Sequence, residues 1–359
     1  MSPRNMRPAN RNCSFPKGGL SLLGLYAQEG LAIKRFSIAL PLHAFLVTAL
    51  IVCGASAGRT QSTDKIVVRE SYPSKVASFW PNYVASTQGF YAKEGLDVQD
   101  IIVDPNVTVS TLIGNSVEMS YADSTQLLLA LQKGANLVAV GLQTERNPYS
   151  LMSSPAVKTL ADLKGKRIGA ASEIDVYTYV IKQILRKAKV DPDKDVEFVY
   201  GGGQNQRLTA AIGGAIQAGL FSPPSDAKLR DLGFNTLAFA PDYAPNLTLS
   251  METVRKDFIE QHPDVLRKIL HAQSEAVKWL NNPANKAQAI QILQTQTNAS
   301  ASDATQAYDY YIGKHVWSDA CIHVRGMVAV SDILHTTGQL TTLTSQDVPK
   351  YADTRFCSK

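Results

Sequence analysis

The chain has 359 residues, 45% hydrophobic and 19% charged, which allows more than one domain with a sizeable core. Its formal net charge is +5, but residues 1–57 hold Arg4, Arg7, Arg11, Lys17, Lys34 and Arg35 against Glu29 alone. The rest carries thirty residues of each sign, so the charge gives no argument for a nucleic-acid partner.

Lys34 and Arg35 precede an apolar run, 36–52, that ends in Ala55-Ser56-Ala57. This order of basic, apolar and small residues is that of a secretory signal peptide, with cleavage expected after Ala57. Pro41 and His43 interrupt the run, and the clean stretch 44–52 is too short to span a bilayer. Lipoprotein anchoring at Cys53 is the alternative, although Leu50-Ile51-Val52 puts a branched Val where a lipobox has Gly or Ala. Beyond the leader only Cys321 and Cys357 remain. In an oxidising compartment they read as one disulfide tying the C-terminal tail to the last helical region, or else as two unpaired thiols. His315, Cys321 and His323 lack a full metal-ligand set at the usual spacing.

From Lys65 onward, short apolar strands alternate with amphipathic helices, the pattern of α/β domains. A strand at 66–68 leads through a loop at 70–79 to a helix reaching Tyr91. Gly89 closes the main part of that helix, and Gly95 allows the left-handed turn into a strand at 98–103. A helix at 108–113, a strand at 118–121, a helix at 125–133 and an apolar strand at 137–140 complete a first lobe. Pro148-Tyr149-Ser150-Leu151-Met152 reads as an extended crossing. The second lobe has strands at 167–170, 196–200 and 218–220, with helices at 172–189 and 204–213 and a return strand at 237–241. A helical block follows: 254–282 with a new turn at Pro263, then 284–294, 302–312 and 324–336.

Gly89-Phe90-Tyr91-Ala92-Lys93-Glu94-Gly95-Leu96-Asp97-Val98 resembles the first αβ corner of periplasmic solute-binding proteins for nitrate, sulfonates, taurine and thiamine-pyrimidine precursors. Ala161-Asp162-Leu163-Lys164-Gly165-Lys166-Arg167-Ile168-Gly169 is similar to that family's entry into its second lobe. Val190-Asp191-Pro192-Asp193-Lys194-Asp195-Val196, the stretch 210–222 with Pro223-Pro224, and the helix 264–279 with Asn282-Pro283 follow in the family's order. The resemblance spans about 65–355. It implies a type II periplasmic binding protein: two α/β lobes with a hinge and a helical C-terminal block. The expected division is 1–57 as leader, 64–148 with 242–359 as lobe 1, and 149–241 as lobe 2. The pyrimidine-binding members carry a Trp, Asn and His set in the first loop. Here Tyr72-Pro73-Ser74-Lys75-Val76-Ala77-Ser78-Phe79-Trp80-Pro81 has no His or Asn, a departure from that ligand.

Ligands of open α/β sheets sit outside the carboxyl ends of strands. That rule nominates Tyr72, Ser74, Phe79 and Trp80 after the first strand, the aromatics either walling a cleft or packing inside the lobe. Asp123 and Ser124 lie where a strand meets a helix N-terminus, suited to bind an anion or to cap. Tyr149 lies in the crossing, and Ser172 and Glu173 at the second lobe's strand-to-helix junction, where Ser172 caps or binds an anion. Glu173 and Asp175 suit the helix dipole, but Glu173 turned into the cleft favours an amine-bearing solute. Ser222 follows the same strand-end rule. Gly201-Gly202-Gly203 resembles a phosphate cradle, but no Gly-Lys-Ser/Thr follows, so a P-loop is rejected.

His262, His271, His315, His323 and His335 all fall in the helical block, without a nucleophile elbow or zinc-protease pair. Some relatives with the implied fold are enzymes, and the leader and missing first-loop His argue against that reading here. The expectation is a monomeric, non-enzymatic, cofactor-free periplasmic receptor. It captures a sulfonate, nitrate, aromatic acid or heterocycle and delivers it to an ABC permease with its cytoplasmic ATPase. The alternatives are a sensor feeding a membrane receptor, and a same-fold enzyme acting on a pyrimidine or small acid.

Overall fold

The computed structural model describes residues 65–248 and 250–357. The expected leader, its cleavage after Ala57 and the lipid anchor at Cys53 lie outside the described residues. Among the described residues, no helix is long and apolar enough to cross a membrane.

The first part of the chain runs β1 (Ile66–Tyr72), α1 (Trp80–Thr87), α2 (Phe90–Lys93), β2 (Leu96–Ile102), α3 (Thr108–Ile113), β3 (Met119–Asp123), α4 (Ser124–Gln132) and β4 (Leu137–Gly141). The second part runs β5 (Ser150–Ser153), β6 (Arg167–Ala170), α5 (Val176–Lys187), β7 (Glu197–Tyr200), α6 (Gln204–Ile212), β8 (Ala218–Phe221), α7 (Ser225–Asp231) and β9 (Asn235–Phe239). The last part is β10 (Ser250–Arg255), α8 (Lys256–Gln261), α9 (Pro263–Asn281), α10 (Lys286–Thr297), α11 (Ala301–Lys314) and α12 (Val324–Thr336).

These strands make two five-stranded mixed sheets, ordered β2-β1-β3-β10-β4 and β7-β6-β8-β5-β9. In each, four strands run the same way and one strand runs against them: β10 between β3 and β4, β5 between β8 and β9. The chain therefore leaves the first sheet after β4 and rejoins it at β10. This is the two-sheet α/β architecture that the resemblance implied.

The αβ corner behaves as its sequence requires. Gly89 and Gly95 have φ of 73° and 74°, a region costly for residues with a Cβ. Leu96 then enters the core, and β2 pairs with β1 from Ile66↔Leu96 to Tyr72↔Ile102. The helical block packs onto the first sheet. Helix α9 buries Val265, Leu266, Ile269, Leu270, Ala272, Gln273, Ala276 and Leu280, a stripe at helical spacing.

Two segments depart from the sequence-based expectation. The first two residues of the helix expected over 254–282 belong to β10, a buried strand from Ser250 without a counterpart among the expected elements, and helices start at Lys256 and Pro263. A buried strand of this length carries no period-2 alternation, so periodicity could not separate it from a helix. The helix expected from 172 begins at Val176, because Asp175 accepts the Thr178 N–H at 2.8 Å as N-cap.

The C-terminal tail covers an edge. Ala352 bridges Ala139 on β4 in parallel, and Asp353 N–H donates to Ala139 O at 2.9 Å. The Cys321–Cys357 disulfide fastens this tail beside the start of α12.

Candidate binding cleft

The carboxyl ends of the parallel strands in both sheets point into one interlobe cleft. Its inner cavity, about 30 Å³, is lined by Pro73 after β1, Pro105 after β2, Thr108, Tyr121 and Asp123 on β3, Ser250, and Ala171, Asp175 and Tyr177 from the second lobe. That volume holds about one water molecule, so the lobes stand closed. Pro73 and Pro105 continue into a mouth of about 420 Å³ that includes Ser74, Asp104, Gly203 and Gln206. Asp175 continues on the other side into a groove of about 230 Å³ with Thr125, Glu173, Tyr179 and Leu334. A larger concavity, about 560 Å³, lies between α3 and α4 beside Leu137 and Arg255. It sits at the amino end of β4, opposite the side where such sheets bind ligands.

Two carboxylates meet at the inner cavity, one from each lobe. Asp123 N-caps α4, accepting Gln126 N–H at 3.0 Å, and is buried. Burial, and next the charge of Asp175, push its pKa up to about 7. Asp175 accepts Ser172 N–H at 2.5 Å and Thr178 N–H at 2.8 Å, and burial also raises its pKa. Arg207, which donates to Gly202 O at 2.8 Å, partly offsets Asp175. Aromatic rings form the walls. Tyr177 meets Tyr149 edge-on, centroids 4.9 Å apart, and Tyr121 packs against Phe79 at 4.7 Å.

Behind Tyr121 lies a buried polar network. Its hydroxyl donates to Glu252 Oε1 at 2.8 Å and receives the amides of Asn82 at 2.8 Å and Gln143 at 2.6 Å. Asn82 also donates to Glu70 Oε2 at 2.7 Å, and Gln143 to Glu252 Oε1 at 2.7 Å. Gln273, with its amide nitrogen toward Glu252, donates to both carboxylate oxygens at 3.0 and 3.2 Å. Glu70 and Glu252 are fully buried. Burial raises both pKa values, that of Glu252 to about 7, and the charges of Asp100 and Glu252 push Glu70 further up.

The nominated residues divide. Asp123 lines the inner cavity, Ser74 the mouth and Glu173 the outer groove, where Glu173 is exposed. Tyr72 and Phe79 stack on each other at 4.8 Å beneath Tyr121, and Tyr149 supports Tyr177, so all three back the wall. Three nominations need correction. Trp80 lies in the core against Tyr308 and Trp317, its indole donating to Ala289 O at 3.1 Å. Ser124 is fully buried and its hydroxyl is consumed by Thr248 O at 2.6 Å. Ser222, also buried, gives both its N–H and its hydroxyl to Gln204 Oε1, each at 3.0 Å. Of the two roles open to Ser172, capping falls to Asp175, which holds the Ser172 N–H, and the anion contact stays an expectation. Tyr121, Tyr177 and the Glu70–Glu252 network were not nominated. Tyr121 was reachable by the strand-end rule, whereas the glutamates meet only through tertiary pairing of β10.

Two facing α/β sheets with strand ends converging on an interlobe cleft define the periplasmic-binding-protein fold. Solved structures agree: the nitrate-binding protein NrtA from Synechocystis PCC 6803 superposes with a TM-score of 0.70 at 15% identity, covering 82% of this chain and 87% of that one. The desulfurization enzyme DSZB shares the fold too, with a TM-score of 0.59 at 13% identity over 82% and 98%. The family model described as "NMT1/THI5 like" matches residues 76–287, and the chain belongs to that family. Among curated relatives, the putative binding protein YtlA of Bacillus subtilis is 23% identical over 254 residues, 67% of this chain and 72% of its own. The formylaminopyrimidine-binding protein of Halalkalibacterium halodurans is 25% identical over 255 residues, 66% of this chain and 74% of its own.

Proposed function

We propose that the protein is an extracytoplasmic solute-binding receptor that closes two lobes over one small molecule and presents it to an ABC permease. The lobes in this reading are 64–148 with 242–359, and 149–241, after export directed by residues 1–57. The family and the binding proteins among its relatives support the receptor role.

One observation supports an amine-bearing solute class, the buried Asp123 and Asp175 at the inner cavity. Arg207 offsets one charge and leaves the other without a cation. A nitrate or sulfonate would add a further negative charge in a site with low dielectric, which is unfavourable. A planar solute with a protonated or donor-rich nitrogen, admitted when the lobes part, supplies the missing charge beside the Tyr121 and Tyr177 that line the same cavity. Binding biases an open–closed equilibrium, and the solute leaves unaltered.

Thermal shift tests this reading with aminopyrimidines, aromatic amines, nitrate, taurine and alkanesulfonates. An amine-bearing compound at a hundredfold excess over its Kd should stabilise by about 2.7 kcal/mol and be recovered unchanged. Asp123→Asn should weaken it on the order of tenfold or more, chiefly at pH 8, where the wild-type carboxyl is ionised. A hit confined to anions refutes the solute class, and a chemically altered hit refutes the receptor reading.

A further inference from the structure

The Gly201-Gly202-Gly203 turn is not a phosphate loop, and the proposed function gives it no part. Gly201 and Gly202 have φ of 125° and 70° and turn the chain so that Gly203 begins α6 against the first lobe. Gly203 itself has φ −75°, open to any residue, so its lack of a Cβ is a matter of space. A Cβ there would stand 2.7 Å from the Pro73 carbonyl oxygen and 3.5 Å from Ser74 Cβ across the cleft. Pro73 O is backbone, in a loop anchored by Val103 N–H on Tyr72 O at 3.2 Å, so it cannot swing aside like a side chain. Further along that loop, Ala77 N–H donates to Pro223 O of the second lobe at 3.4 Å. The loop after β1 is therefore held between two backbone segments of the opposite lobe.

We infer that Gly203 is the residue that permits lobe closure: the Pro73 carbonyl occupies the space of its missing side chain, and any Cβ there props the cleft open. A side chain at 203 lowers the closed fraction, and apparent solute affinity falls by the same factor. The consequence for affinity rests on the receptor reading; the steric contact does not.

The test measures distances without solute. Keto-bearing residues placed at exposed Asp97 in the first lobe and Glu197 in the second accept spin labels and leave every thiol alone. Wild type should show a short-distance population matching the closed structure. Gly203→Ser keeps a residue favourable at an N-cap while adding the Cβ, so α6 is preserved. It should reduce that population about tenfold or more. Gly203→Ala, with the Cβ alone, should shift it the same way, and Gly313→Ala, where a Cβ meets nothing within 4 Å, should not. A short-distance population retained in both Gly203 variants overturns the inference, as does its absence from wild type. A failed solute screen alongside a moved distribution would remove only the receptor reading.

Discussion

Glu252 shows how one buried side chain joins stability to the cleft. Its carboxylate takes Tyr121 and Gln143 as donors, and a Cβ on Gly141 would stand 2.3 Å from its Oε2. The native state holds its proton up to about pH 7, whereas the unfolded chain releases it near 4.5. The folded form thus binds more protons between those values, and its stability falls as pH rises through that window. Glu252→Gln should flatten the slope without abolishing it, since Asp123 and Glu70 are raised in the same direction. Urea midpoints at pH 5 and pH 8 measure this, with the variant gaining on the order of 1–3 kcal/mol relative to wild type at the higher pH. An unchanged slope would show that Glu252 is ionised in the native state.

Strands and helices that end the chain decide what is exposed. Strand β4 is the outermost strand of the first sheet, and an open strand edge invites pairing with another chain. The tail at 352–353 occupies that edge, and the disulfide closes a loop with a sequence separation of 36. Cys357→Ser should lower stability by about 2–4 kcal/mol. It should also speed amide exchange at Ala139 and Asp353, read by hydrogen-exchange mass spectrometry. Equal stability with and without reductant would mean that packing of Phe356 alone holds the tail. The first αβ corner was legible because Gly89 and Gly95 mark backbone angles that few residues adopt. Strand β10 was not, because burial on both faces removes the alternation by which a strand is read.

Across the described residues, one buried apolar cluster joins the lobes, running from Leu127 and Leu142 beside the first sheet to Leu151, Ile168 and Val176 of the second, and α11 packs against α7. At the cleft mouth the lobes meet through backbone, Gly203 against Pro73 and Ala77 N–H on Pro223 O. A bound solute should shift the open–closed population toward the closed form. Small-angle scattering should give a smaller radius of gyration on adding the compound that shifts the melting temperature. An unchanged radius would mean that the lobes are already closed without it.

The sequence by itself determined the alternation of strands and helices, the order of family-like segments and that only two cysteines remain beyond the leader, while the structure pairs them. Each of these is written in local spacing, in glycine positions or in residue counts. Tertiary structure decided which nominated side chains reach the cleft. Ser124 and Ser222 directly follow strand ends and Trp80 opens the helix after the first loop, yet each finds an internal partner that spends its polar group or buries its ring. Only the folded chain sets Asp123 and Asp175 at one cavity from residues far apart in sequence, and only there does burial give them a shared charge to balance.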